Sequence, residues 1–269
     1  MSSKPQGQIT RGKTAPNRLR RVDAFVAAYD PGLITANHSG FYVDLGYGSR
    51  PTTTLESAAR LRQLNPTLPV LGVEIEPERV ARGKAFADEK THFRLGGFNL
   101  PLRAGETARF VRAFNVFRQY EEGEVRAAYD QILSQIVPGG LLMDGTSDPY
   151  GRIWTANMVR RSPTTESSWE LEAIVLGWNP RGDLDPDAFQ TRLPKSFIHR
   201  MVPGEKIFAF MEAWKAAARD TKSASAWGPR AWFVAAGKEL AAKGYDVSRA
   251  DLWLKRGWLV WRNSGLDIK

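Results

Sequence analysis

The chain has 269 residues, no cysteine and a formal charge of +9. Lacking cysteine, it has no disulfide, no cysteine–zinc site and no thiol nucleophile. At 42% hydrophobic and 25% charged residues its composition is that of an ordinary globular protein, with length for one large or two small domains.

No apolar run approaches the roughly 18 residues of a membrane span. No apolar signal-peptide core follows the basic N-terminus, so a cytoplasmic protein is expected. The positive charge sits at two ends. Residues 1–21 hold Lys4, Arg11, Lys13, Arg18, Arg20 and Arg21 and no acid; residues 206–262 hold 11 basic and 5 acidic side chains. Such ends are solvated tails and faces, or they meet nucleic acid, an anionic surface or an acidic substrate.

Residues 1–17 are polar, contain Pro5 and Pro16, and read as a flexible basic arm. From Asn17 to Tyr29 the apolar residues Leu19, Val22, Phe25, Val26 and Tyr29 recur at helical spacing, and Pro31 and Gly32 end the helix. Phe41-Tyr42-Val43-Asp44-Leu45 is then an apolar run that stops in Gly46-Tyr47-Gly48, as a buried parallel strand does when it enters a tight turn. Glycine at 46 and 48 permits positive φ and a close approach of backbone to a ligand. Thr53-Thr54-Leu55-Glu56 reads as a capping box opening a helix over Thr52–Asn65. Strand, glycine turn and helix N-terminus together make a nucleotide cradle.

Val70-Leu71-Gly72-Val73-Glu74 is a second apolar strand. It ends in a carboxylate, the position that accepts the two ribose hydroxyls in doubly wound folds. A dinucleotide fingerprint requires a third glycine three residues after Gly48. Pro51 stands there, which disfavours NAD. Pro77–Ala87 reads as the second helix and His92–Leu95 as a short third strand. The loop Gly96-Gly97-Phe98-Asn99-Leu100-Pro101 follows. Ala108–Phe117 reads as a fourth strand and Glu121–Val137 as an amphipathic helix, ended by Pro138-Gly139-Gly140. Leu141–Gly145 is the fifth strand.

The second half differs in character: all nine tryptophans lie at or after Trp154. Ile153–Arg161 and Trp169–Trp178 read as strands separated by the polar turn Ser162–Ser168. Arg181–Asp187 is a loop, Gly204–Arg219 and Pro229–Lys243 are helical, and Trp258–Trp261 is a final strand. No internal repeat stands out.

The motif Asp44-Leu45-Gly46-Tyr47-Gly48, with an acid two residues before the first glycine, resembles motif I of the class I S-adenosylmethionine-dependent methyltransferases. Gly72-Val73-Glu74-Ile75-Glu76-Pro77 resembles their motif II. The helix, Pro-Gly-Gly and strand that end at Gly145 resemble the later part of the same domain, so the likeness covers roughly Phe41–Asp148. Around Asn115 the wording is most similar to the strand end of the chemotaxis-receptor methyltransferases, as a local echo.

The resemblance implies an α/β fold: a doubly wound, mainly parallel sheet with extra C-terminal strands and helices. It implies one domain over 18–269, with a cofactor half at 18–149 and an acceptor-facing half at 150–269. The cofactor is S-adenosylmethionine, held by Asp44, Gly46, Tyr47, Gly48, Glu74 and Ile75, with Asn99 and Asn115 as further contacts. In the family the loop after the third strand often carries an acid that contacts the adenine amine. Here Gly97 stands in its place, and Asn99 is the nearest polar substitute.

Methyl transfer from a sulfonium is an in-line displacement in which the protein positions the acceptor, and a hydroxyl acceptor also calls for a base. His199 and His38 are candidates, His92 a weaker one, and Asp144 and Asp148 lie at the rim of the fifth strand. Asp183, Asp185 and Asp187 alternate but lack calcium-loop spacing; they read as loop and cap residues. Trp154, Trp169 and Trp178 either stack an acceptor or pack the core. Three readings stay open: methylation of a small molecule, methylation of RNA through the basic ends, and a binding module without catalysis.

Overall fold

The computed structural model describes residues 4–10, 12–35, 40–164, 168–247, 251–262 and 264–268. The elements in chain order are α1 (Arg20–Tyr29), β1 (Phe41–Leu45), α2 (Thr52–Leu61), β2 (Val70–Glu74), α3 (Pro77–Lys84), β3 (Thr91–Leu95), β4 (Ala108–Phe114), α4 (Glu122–Leu133), β5 (Ile136–Ser147), β6 (Ile153–Arg161), β7 (Trp169–Trp178), α5 (Lys195–Ile198), α6 (Lys206–Asp220), α7 (Pro229–Ala242), α8 (Asp251–Lys255) and β8 (Trp258–Arg262). Short 3₁₀ turns link several of them.

One eight-stranded sheet runs through both halves in the order β3-β2-β1-β4-β5-β6-β7-β8. β1 to β5 pair in parallel, and β6, β7 and β8 continue as an antiparallel meander. The fold is therefore α/β, doubly wound and mainly parallel at its N-terminal side, with extra C-terminal strands and helices.

The unbroken apolar runs of β1 and β2 follow from cover on both faces; all five residues of each are buried. Side chains alternate across the sheet. Tyr42, Val70, Phe110 and Met143 join α1 and α2 on one face, while Val43, Leu71, Val111 and Leu142 join α4, α6 and α7 on the other. The tryptophans are largely core: Trp154 packs edge-on to Phe25 at 5.4 Å between centroids, and Trp178 stacks on Phe233. Each such buried side chain contributes about 1.5–3 kcal/mol.

Three local expectations are corrected. Thr53 and Thr54 form no capping box, because the helix starts after Pro51 without a side-chain cap and both hydroxyls donate to Asp44. The capping box of the structure is at α4, where Glu121 and Glu124 satisfy each other's backbone amides. The fourth strand stops at Phe114, since Asn115 turns into the left-handed region at φ 59°.

The helix expected to reach Val137 ends at Leu133, and β5 runs through Pro138-Gly139-Gly140. A register shift against β4 between Ala108 and Phe110 and a positive φ at Gly139 accommodate the proline there. No helix among the described residues is long and apolar enough to cross a membrane.

Candidate functional site

β1 and β4 are neighbours although β2 and β3 lie between them in the chain. Strand order reverses at that point, and the C-terminal ends of the strands open a crevice where ligands bind in such sheets. Gly46 and Gly48 form its floor, with φ of 71° and 90°. Gly46 also has no room for a side chain: a Cβ there would stand 2.7 Å from Val116. Tyr47 points away from the crevice and donates to the Arg79 carbonyl at 3.1 Å.

Glu74 is the carboxylate of the crevice. It is 1% exposed, and its two oxygens accept from the amides of Gly48 and Ile75, both at 2.9 Å. The Arg79 guanidinium lies 3.6 Å away and pairs more closely with Glu76 at 2.5 Å. The acid at the end of the second strand and the glycine turn at the end of the first are thus one hydrogen-bonded unit.

Asp44 does not face the crevice. Its carboxylate accepts from Thr53 at 3.0 Å and Thr54 at 2.8 Å, and the Arg112 guanidinium lies 2.9 Å away. Arg112 also binds Asp23 of α1 at 2.6 Å, and Asp23 pairs with Arg60 of α2 at 2.7 Å. Burial disfavours the charge on Arg112, but Asp44, Tyr42 and Asp23 outweigh it and hold the guanidinium above its ordinary pKa. Asp44 is therefore a brace beneath the turn: its acceptors are consumed from below, and it ties the turn to α1, α2 and β4.

Asn115 sits at the rim, with its side-chain oxygen accepting from the Ser147 amide at 3.2 Å. It ties the end of β4 to the end of β5. Phe98 and Asn99 lie at the other end of the crevice. Phe98 is buried between Phe117 and Tyr120, with centroids 5.2 and 5.1 Å away.

The N-terminal arm crosses this crevice. The Phe98 amide donates to the Gln6 carbonyl at 2.8 Å, and the Gln6 amide donates to the Asn99 side chain at 2.8 Å. Arg79 donates to the Thr10 carbonyl at 3.0 Å. The Ser49 amide donates to the Gly12 carbonyl at 3.0 Å. A cavity of about 20 Å³ remains between the arm and the sheet ends, lined among others by Gln6, Thr10, Gly46, Glu74 and Gly97.

The base candidates separate clearly. His38 lies outside the described residues. His199 is exposed at the end of α5, 3.1 Å from the Lys195 ammonium. His92 faces Phe41 at the far side of β3; burial and then Arg94 lower its pKa.

Asp144 is sealed in the core beneath the rim, accepting from Tyr129 at 2.6 Å. Asn157 donates to that tyrosine oxygen at 3.1 Å and to Ser196 at 2.9 Å. Burial pushes Asp144 up to about 7, against the Tyr129 hydrogen bond. Asp148 closes its own turn by accepting from the Tyr150 and Arg152 amides. Asp185 caps Asp187, and Asp187 pairs with Lys215 at 3.1 Å. Among the described residues no cluster of three histidine or acidic side chains is placed to hold a metal.

Sequence reasoning missed the arm contacts at Gln6, Thr10 and Gly12, and the brace made by Asp23 and Arg112. The visible traces of the arm contacts were the missing acid at Gly97 and the glycines within the arm; the brace left none.

No protein-family model matches the chain, and no curated protein matches it. Solved structures similar to it include the N-methyltransferase NodS from Bradyrhizobium japonicum, at 12% identity over 49% of this chain and 66% of that one, with a TM-score of 0.34. The CcbJ methyltransferase from Streptomyces caelestis matches at 19% identity over 59% and 71% of the two chains, TM-score 0.36. The amino pentose methyltransferase CalS10 from Micromonospora echinaspora, bound to its methyl donor, matches at 18% identity over 62% and 69%, TM-score 0.37. All three of these proteins are methyltransferases by name.

Proposed function

We propose that the chain is an S-adenosylmethionine-dependent methyltransferase acting on a small-molecule acceptor. The observation that carries this reading is the unit formed by Glu74 and the Gly46–Gly48 turn at the strand-order reversal. A buried carboxylate held by two backbone amides is positioned to accept two vicinal hydroxyls. The side-chain-free turn lets a ligand approach the backbone. At the other end, Phe98 offers an amide donor, and the Asn99 amide both donates and accepts, which suits a purine edge.

When bound, the cofactor supplies an electrophilic methyl group. In this reading Glu74 holds the ribose, Ile75 and Phe98 flank the base, and Gly46 and Gly48 admit the amino-acid end. Asn115 fixes the rim over which the acceptor would enter. Residues 150–269 supply the surface beside that rim. Asp44 and Tyr47 shape the turn without touching the ligand.

A small-molecule acceptor is taken over RNA because no recognised RNA-binding module is visible in the chain, and three of the 11 basic side chains at 206–262 are ion-paired within the fold. Lys215 binds Asp187 and Glu212, Lys238 binds Asp251, and Lys243 binds Asp220 and Glu239.

Calorimetric titration with S-adenosylmethionine, S-adenosylhomocysteine and NAD tests the reading. Saturable binding of the first two and none of NAD is expected. Binding of NAD alone, or of none of the three by folded protein, would overturn it.

A further inference from the structure

We infer that the N-terminal arm is an autoinhibitory strap: residues 6–10 and Gly12 fill the cofactor crevice and must leave it before a cofactor enters. The inference rests on the cofactor reading of that crevice, and it follows from where the arm lies and from what the crevice lacks.

The strap spans the crevice from end to end. Besides the Gln6 and Gly12 contacts already described, the Asn99 side chain donates to the Lys4 carbonyl at 3.1 Å. The Gln8 amide donates to the Tyr120 hydroxyl. The Thr10 hydroxyl accepts from Arg79 at 3.2 Å, and the Ser49 hydroxyl donates to the Gly12 carbonyl at 2.9 Å. The strap's main-chain groups thus take up donors and acceptors at the loop after β3, at the Arg79 flank of Glu74 and at the glycine turn. The space left is about 20 Å³, against roughly 300–1,000 Å³ for a small-molecule site.

Gly97 shows that the crevice is shaped for the strap. Its φ lies outside the left-handed region, so its backbone does not require glycine. A Cβ at this position would stand 2.7 Å from the Gln6 carbonyl carbon and overlap its oxygen. The absent side chain is therefore what admits the arm. On the strap's side, Gly7 and Gly12 have φ of 139° and 73°; a Cβ on them would meet the Tyr120 hydroxyl at 2.9 Å and the Arg79 guanidinium at 2.8 Å.

The Gln6 peptide unit presents a carbonyl acceptor to Phe98 and an N–H donor to Asn99. Adenine offers the same pairing, an acceptor ring nitrogen beside a donor amine. Strap and cofactor therefore compete for the same groups. Gln6, Gly7, Gln8 and Ile9 are all solvent-exposed on their outer side, so the strap is held from one face only and opens locally without global unfolding. A site that is open only part of the time binds with affinity reduced by the open fraction.

The test uses the full-length chain and its Gly97→Ala variant, which clashes with the strap while leaving its own backbone unstrained. Hydrogen exchange at the Gln6 and Gln8 amides reports the strap without any ligand, and calorimetry with S-adenosylhomocysteine reports the site. The variant is expected to exchange these amides faster and to bind S-adenosylhomocysteine at least about tenfold more tightly. Gly12→Val, which changes the strap alone, is expected to act in the same direction.

Faster exchange with unchanged or weaker binding in both variants would overturn the inference, because the arm would then be independent of the site or complete it. Unchanged exchange in both variants would overturn it as well, because the arm would not be seated where stated. Freed amides with no binding by any of the three proteins would instead strike the cofactor reading, and the inhibition with it.

Discussion

The Glu74 carboxylate accepts a hydrogen bond from the Gly48 amide across 26 residues of chain, at 2.9 Å. This bond joins the end of β2 to the turn after β1, so the acid proposed to hold the ribose and the glycine turn are positioned by one contact. Glu74→Gln keeps the shape and one acceptor but removes the charge. Charge-assisted hydrogen bonds are worth about 1.5–3 kcal/mol each. The substitution is therefore expected to weaken S-adenosylhomocysteine binding by roughly 10- to 100-fold. Calorimetry on wild type and variant, with circular dichroism to verify folding, measures this; equal affinities would remove Glu74 from the site.

The brace beneath the turn makes a separate prediction about stability. Arg112 is 1% exposed and is shared by Asp23 and Asp44. Arg112→Leu would leave both carboxylates buried in the brace without it. Breaking a buried pair in this way costs about 3–5 kcal/mol. Urea unfolding at neutral pH is expected to show that loss, and a change below about 1 kcal/mol would contradict the role of the brace.

Asp144 gives the protein a pH dependence of known sign. Its folded-state pKa, raised to about 7 by burial, lies above the ordinary value. The folded state therefore binds the proton that the unfolded state has released. The group costs nothing below the unfolded pKa. Its penalty grows as pH rises from about 4 to about 7 and is complete above that. Asp144→Asn removes the ionisation and is expected to be the more stable protein at pH 8 by about 1–3 kcal/mol, with a smaller gain at pH 5. Urea unfolding at the two pH values checks this; a variant less stable at pH 8 than at pH 5, relative to wild type, would reverse the sign.

Close packing behind the rim is tested at Gly177. A Cβ there would overlap the Trp154 indole, which is fully buried against Phe25 and Phe114. Gly177→Ala is expected to cost about 1–3 kcal/mol through overpacking. A shift in tryptophan emission should accompany the lower urea midpoint, and an unchanged midpoint would show that the indole has room to move.

The succession of the parallel strands along the chain, the glycine turn and the place of Glu74 at the end of β2 were legible because each depends on residues close in sequence: an apolar run, a glycine pair, a terminal acid. β6 and β7 were legible to the residue, since a polar turn separates two strongly apolar stretches. The length of β5 was not, because proline and two glycines read locally as a stop, and only the bulged pairing with β4 explains their place in a strand. Thr53 and Thr54 read as a cap because the competing acceptor, Asp44, lies across a strand-to-helix turn. The role of Asp44 depends on Arg112, 68 residues away, and the seating of the arm on partners 37 to 125 residues away. No local pattern encodes such partners, although glycine at 97 in place of an acid was a trace of the arm's seating.

The crevice between β1 and β4 is proposed to bind the adenosyl group of S-adenosylmethionine. Calorimetric titration of wild type and Gly97→Ala with S-adenosylhomocysteine, with NAD as the control, tests it most directly. One-site binding of S-adenosylhomocysteine, tighter in the variant, with no heat from NAD, is the predicted result. No S-adenosylhomocysteine binding by either folded protein would contradict the account.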